Sequence, residues 1–193
     1  MAESFRLGGL PWSVFAGIVM RKDLIVDGAA LGLATVGGDD ATDVILRMYR
    51  ELRREDVNLI MVSGAVVSWF NIVDPERIWS ETGRPVLVLT YRTSRGLEDV
   101  IRRRFGDRWR EKLEAYRRLG PRERVVLHTG FPVYVRAAGI SGREVSRALN
   151  DFTIHGRYPE PVRVAGLLAR AALRLMEGAL RPQQLGTGGG QPP

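Results

Sequence analysis

The chain has 193 residues, 45% of them apolar and 26% charged, a composition that suits a soluble globular domain with a sizeable core. It has no cysteine and only two histidines, His128 and His155, which excludes disulfides, thiolate metal sites and a multi-histidine zinc centre. The net charge of +7 fits a nucleic-acid partner. Lys22 and Lys112 are the only lysines, and such an arginine bias equally suits heat adaptation or genome composition.

Residues 13–20 (SVFAGIVM) and 24–36 (LIVDGAALGLATV) are apolar, β-forming runs parted by Arg21, Lys22 and Asp23. They predict an antiparallel hairpin in which Gly28 and Gly32 mark bulges or close backbone approach. Residues 40–54 predict a helix with Val44, Ile45, Met48 and Leu52 on one face and Asp39 or Asp40 as its N-cap. Residues 57–63 (VNLIMVS) form a strand-length apolar run, suited to burial on both faces. Asp74-Pro75 starts a short helix ending near Gly83, and residues 86–90 are a second buried strand, so the pair reads as a parallel βαβ unit.

Residues 95–119 are charged and helical, divided near Gly106. From Arg95 to Arg124 there are 11 Lys/Arg against 6 Asp/Glu, so most of the net charge lies there. Glu98–Arg102, Asp99–Arg103 and Glu114–Arg118 are i,i+4 pairs in the favourable order. Strands are expected at 124–127 and 132–137, a helix capped by Ser141 runs to about Asn150, and a long Ala/Leu-rich helix spans 162–180. Residues 1–180 read as one domain and 181–193 as a disordered tail. No apolar run reaches the roughly 18 residues of a membrane span and no secretory signal is visible, so the expectation is a cytoplasmic protein without a membrane partner.

The element order is α/β with a mixed sheet: an antiparallel hairpin followed by parallel strands, flanked by helices. It fits a ribonuclease-H-like layout. That layout begins with three antiparallel strands, of which two are visible here.

Three motifs then point to a family. GGDDATD (37–43), SWFNIVD (68–74) and HGRYPEPVRVA (155–165) together resemble an archaeal family of unknown-function proteins related to endonuclease V and also described as endonuclease dU. The resemblance runs from about residue 2 to about residue 176. It implies a ribonuclease-H-like fold and an Mg²⁺- or Mn²⁺-dependent endonuclease of DNA with a deaminated base, uracil or hypoxanthine. Such chemistry needs carboxylates from several strands to hold the metal ions. The resemblance puts acids in three turns, and the chain departs at each: Ala2 leads the first, with Glu3 beside it; Gly37 stands at the first acid of the second, where Asp40 matches the other acid and Asp39 is extra; and Ser63 stands in the third. A hydroxyl supplies no formal charge to a dication site. The family's first strand would precede residues 2–5, so Met1 reads as a start with residues missing upstream.

Two accounts follow. In one, Asp39, Asp40, Asp74 and Glu3 form a displaced metal site, Asp40 is catalytic, and His155 and Arg157 contact the scissile phosphate. In the other, the site has decayed and the domain binds nucleic acid, or acts as a scaffold, without cutting. Asp39, Asp40 and Asp74 serve equally as helix caps, and Trp69 and Asn71 either line a base-binding cleft or pack locally. Arg102 and Arg103 either clamp a nucleic-acid backbone or form a solvated face, and the C-terminal helix is a candidate dimer contact.

Overall fold

A computed structural model describes residues 1–93 and 96–180, with the side chain of Arg108 excepted. The tail expected at 181–193 lies outside the described residues.

The chain forms β1 (Ala2–Ser4), β2 (Trp12–Met20), β3 (Val26–Thr35), α1 (Ala41–Leu52), β4 (Ile60–Ser63), β5 (Val66–Val67), β6 (Asn71–Ile72) and α2 (Pro75–Thr82). It continues with β7 (Val86–Thr90), α3 (Glu98–Arg104), a 3₁₀ turn (Gly106–Arg108), α4 (Trp109–Arg118), β8 (Glu123–Val126), β9 (Pro132–Ala138), α5 (Gly142–Asp151) and α6 (Glu160–Leu180).

The expected hairpin is β2–β3, with Phe15 opposite Gly32, and a register shift at Val19/Met20 marks a bulge. A third strand stands beside it, where the sequence shows two. β1 is only three residues long and pairs antiparallel with β2, Ala2 facing Ala16. Two main-chain bonds, Met1 N to Met61 O (2.6 Å) and Ser63 N to Met1 O (3.0 Å), then join it to β4. β4 and β7 are parallel, as the βαβ reading requires, and β9 and β8 complete the sheet antiparallel.

Alternation along β4 and β7 explains why both read as continuous apolar runs. Ile60, Val62, Val86 and Val88 enter one core with Val44, Ile45 and Met48 of α1. Met61, Leu87 and Leu89 enter the other with Val145, Leu149 and Val162. Gly32 lets α1 approach, because a Cβ there would lie 2.7 Å from Val44 and 2.8 Å from the Met48 sulfur. Asp74 caps α2 as expected, its carboxylate accepting from Arg77 N at 3.1 Å.

Two local expectations are corrected. Asp40 occupies the N-cap position of α1, but its side chain makes no capping bond. Asn71 caps that helix from across the fold, its Oδ1 accepting from Ala41 N at 2.9 Å. Ser141 precedes α5 without a side-chain cap.

Candidate functional site

The carboxyl ends of β1, β4 and β7 lie side by side, and the segment after β4 returns across them. This is the edge where α/β sheets gather functional groups. Between β5 and β6 the chain makes a turn whose three residues are all left-handed: Ser68 (φ 44°), Trp69 (φ 61°) and Phe70 (φ 66°). None is glycine, and each costs on the order of 1 kcal/mol or more, so the surroundings must hold the turn.

They do so at several points. Ser68 O accepts from Gly37 N at 2.7 Å. Ser68 N donates to Glu3 Oε1 at 3.3 Å, and the Ser68 hydroxyl lies 3.4 Å from Glu3 Oε2 and in hydrogen-bond contact with Ser13 Oγ. From the other side, Lys112 of α4 donates through Nζ to Phe70 O (3.1 Å) and Gly38 O and pairs with Asp39. Its side chain is 3% exposed, against 63% for Asp39. A buried ammonium with three acceptors is a structural tie rather than a free cation.

The turn presents aromatic rings. Trp69 and Phe70 meet edge to face with centroids 5.6 Å apart, and Phe70 meets Phe105 at 5.2 Å. Arg104 of α3 lies over the Trp69 ring at 5.0 Å, a cation–π contact. Trp69 and Phe70 remain half-exposed. Arg104 and Lys112 were not singled out from sequence; Arg104 belongs to the basic run, but its ring partner lies 35 positions away.

The four candidate metal carboxylates fall into separate settings. Asp40 accepts from Thr35 N (3.0 Å), Thr35 Oγ1 (2.9 Å) and Asn71 Nδ2 (2.7 Å). Burial acts to raise its pKa, but these hydrogen bonds outweigh it and hold the carboxylate below its ordinary range. Asp39 pairs with Lys112, and Asp74 is committed to its cap. Glu3 lies beneath Ser68, where burial pushes its carboxyl up and donation from Ser68 only partly offsets this. A cleft of about 360 Å³ includes Asp39 and Asp74, but it also holds Arg77, Lys112 and Arg118. Among the described residues no group of three or more His, Asp and Glu side chains is placed to hold a metal ion.

The opposite side of this edge is built from β7 and the loop before α6. Ser63, at the end of β4, faces the Tyr91 phenol, which burial raises well above its usual pKa. Tyr91 packs against Tyr158 with centroids 4.3 Å apart, and Arg157 donates to Tyr91 O at 3.1 Å while lying over Phe131 at 5.2 Å. Arg157 is thus fixed at the end of β7 by main chain and ring, whereas His155 is exposed on the same loop. Arg102 and Arg103 are exposed on α3. Arg102 pairs with Asp99 (3.1 Å) and Arg103 donates to Asp99 O (3.1 Å), so the first turn of the helix holds both without burying them.

The endonuclease dU family's sequence model matches residues 1–173. The chain belongs to the endonuclease dU family. A UPF0215 protein of Pyrobaculum aerophilum is 36% identical over 178 residues, covering 92% of this chain and 94% of that protein. A protein of unknown function from Archaeoglobus fulgidus has a similar structure, with a TM-score of 0.75 and 27% identity over 88% of this chain and 94% of that one. Endonuclease V of Ciona intestinalis, solved with a 24mer DNA containing an inosine followed by a ribo-adenosine, has a TM-score of 0.58 at 12% identity, covering 90% of this chain and 84% of that one. This last likeness shows the fold, which is ribonuclease-H-like. No described helix is long and apolar enough to cross a membrane.

Within this endonuclease dU fold, the residues present do not fit a pair of divalent ions. β1 offers Ala2 and Glu3, whose carboxyl burial pushes up; the β4 end offers Ser63; and the turn before α1 offers Gly37 with Asp39 and Asp40, the first paired with Lys112 and the second held by Thr35 and Asn71. A dication needs ionised oxygen ligands converging within about 2.0–2.6 Å.

Proposed function

We propose that this chain binds nucleic acid, DNA in preference, carrying a deaminated base, uracil or hypoxanthine, and holds it without hydrolysing the phosphodiester. The observation that carries the reading is the state of the strand ends. Ala2, Gly37 and Ser63 stand where the family resemblance implies acids, and Asp40, the acid that matches, is held by Thr35 and Asn71, while Trp69 lies beside Gly37 with Arg104 over it and Arg157 lies at the end of β7. Hydrolysis by metal-bound water loses its ligands; recognition by guanidinium and aromatic groups does not need them. The DNA held by Ciona endonuclease V supports nucleic acid as the partner class. Arg157, with one N–H on Tyr91 O, has others to offer a phosphate oxygen. Trp69 and Phe70 offer ring surface to a base.

One observation favours a second reading. Glu3 sits one residue beyond Ala2, in the middle of β1, so a single Mg²⁺ or Mn²⁺ drawn to it would make the protein a metal-dependent endodeoxyribonuclease.

One assay separates them. Labelled oligonucleotides with uracil, hypoxanthine or neither are followed by anisotropy and on denaturing gels, with Mg²⁺ or Mn²⁺. The expected result is lesion-preferring binding that weakens by an order of magnitude or more between about 50 and 200 mM salt, without product. Cleavage that disappears in Glu3→Gln establishes the second reading instead. Salt-insensitive binding removes phosphate recognition altogether.

A further inference from the structure

We infer that β3 is a dimer edge, and that its partner is β3 of a second copy, paired antiparallel about a two-fold axis at Leu31. The inference is independent of the reading above.

β3 is the outermost strand of its sheet, with β2 on one side and no described strand on the other. The direction of its main-chain groups follows from two bonds. Val36 N turns inward to Pro11 O, while Thr35 N turns outward to the Asp40 carboxylate. Antiparallel strands alternate with period two, and the register with β2 is unbroken from Ala34 to Gly28. Thr35, Leu33, Leu31 and Ala29 therefore direct N–H and C=O away from β2.

Both ends of this edge are closed by the chain itself. At one end Asp40 takes Thr35 N, and Gly38 N and Asn71 Nδ2 take Thr35 O. At the other end the bulge lies at Asp27, whose carbonyl accepts from Arg54 Nη1 at 2.9 Å. Between these ends the outward groups of Ala29, Leu31 and Leu33 are left facing solvent. Proteins usually guard such an edge with lysine, proline or a central bulge. Residues 28–35 contain none of them, and no charge.

The open window is self-complementary. Pairing about Leu31 sets Leu31 against its symmetry mate and Ala29 against Leu33 twice over. Each of the three pairs exchanges two N–H···O=C bonds, so all six outward groups of each copy are satisfied. The same three side chains lie on one face of the sheet, so they meet as cross-strand neighbours. Leu31 and Leu33 are 49% and 44% exposed and would be covered together. Charge matching is also favourable. The one charged residue of β3, Asp27, falls opposite Thr35, where the Asp40 carboxylate sits, but it arrives already paired with Arg54, so a guanidinium accompanies it to that carboxylate. The window is short, so the contact belongs to the small, reversible class of interface.

The test is sedimentation velocity over a concentration series, with amide exchange read in parallel. The expected result is a monomer–dimer equilibrium in the micromolar range, with Ala29, Leu31 and Leu33 amides exchanging more slowly as concentration rises. Leu31→Lys, which sets two ammonium groups face to face on the axis, should raise the dimer dissociation constant at least about tenfold while leaving the thermal melt folded and cooperative. Leu175→Lys, on the most exposed leucine of α6, should leave it unchanged. A protein that stays monomeric throughout, a dimer that survives Leu31→Lys, or one that is lost in Leu175→Lys overturns the inference. The amide measurement uses the natural sequence, so the inference stays testable even where a variant fails to fold.

Discussion

Asn71 shows how much one side chain can fix. It is fully buried, caps α1 through Oδ1, and donates through Nδ2 to Asp40 and Thr35 O. Asn71→Ala removes a cap and leaves buried polar groups unpaired, so it should cost about 2–4 kcal/mol in urea unfolding. Glu3 yields a prediction of opposite character. Its folded pKa is raised, so the protonated carboxyl favours folding; that contribution is complete below the unfolded pKa and lost as pH rises through the folded one. Glu3→Gln should therefore flatten the decline in stability from the glutamate range upward. A bound dication would reverse the sign by drawing the carboxyl to its ionised form. Melting temperature at neutral pH should accordingly not move on adding Mg²⁺, Mn²⁺ or a chelator, and a rise with metal concentration would reveal a site the carboxylates do not suggest.

The α3–α4 arm is the element that the site most depends on, because Lys112 is its tie to the Trp69 turn. Lys112→Met removes the buried charge itself and leaves Asp39 near solvent, so the loss is milder than stranding a buried ion: about 1–3 kcal/mol, chiefly from the Phe70 and Gly38 carbonyls. Faster amide exchange should appear across residues 64–72 and α4 before the sheet. At this scale much was legible in the sequence. β4 and β7 announce themselves because strands buried on both faces must be apolar throughout, and α2 does so through Asp74-Pro75. β1 escaped because three residues carry no periodicity, and β5–β6 because two-residue strands around a left-handed turn look like loop. The Asp40 role escaped for another reason. Asp before a helix is most simply a cap, and nothing local reveals that Asn71, 31 positions on, takes that place. The departures at Ala2, Gly37 and Ser63 were legible; that Glu3 turns to Ser68 required the turn's geometry.

Across the whole molecule the positive charge is uneven, and its unevenness separates affinity from discrimination. In the sequence most of the excess lies between Arg95 and Arg124, a stretch that includes the α3–α4 arm with Arg104 over Trp69. Charge on an exposed arm acts on phosphates regardless of sequence, and each phosphate neutralised contributes roughly 0.9 to the slope of log K against log salt on duplex DNA. Ring surface acts on bases and is nearly indifferent to salt. Arg102→Ala with Arg103→Ala should therefore lower affinity for all oligonucleotides alike and reduce that slope by about one, less than the roughly 1.8 of two full contacts because Asp99 already holds both groups. Trp69→Ala should leave the slope unchanged and shrink the difference between lesion-bearing and undamaged DNA. Anisotropy titrations at several salt concentrations measure both quantities on the same samples. An unaltered slope in the arginine variant would return those residues to a solvated helix face. A slope that falls in Trp69→Ala would mean that the turn positions the arm rather than a base.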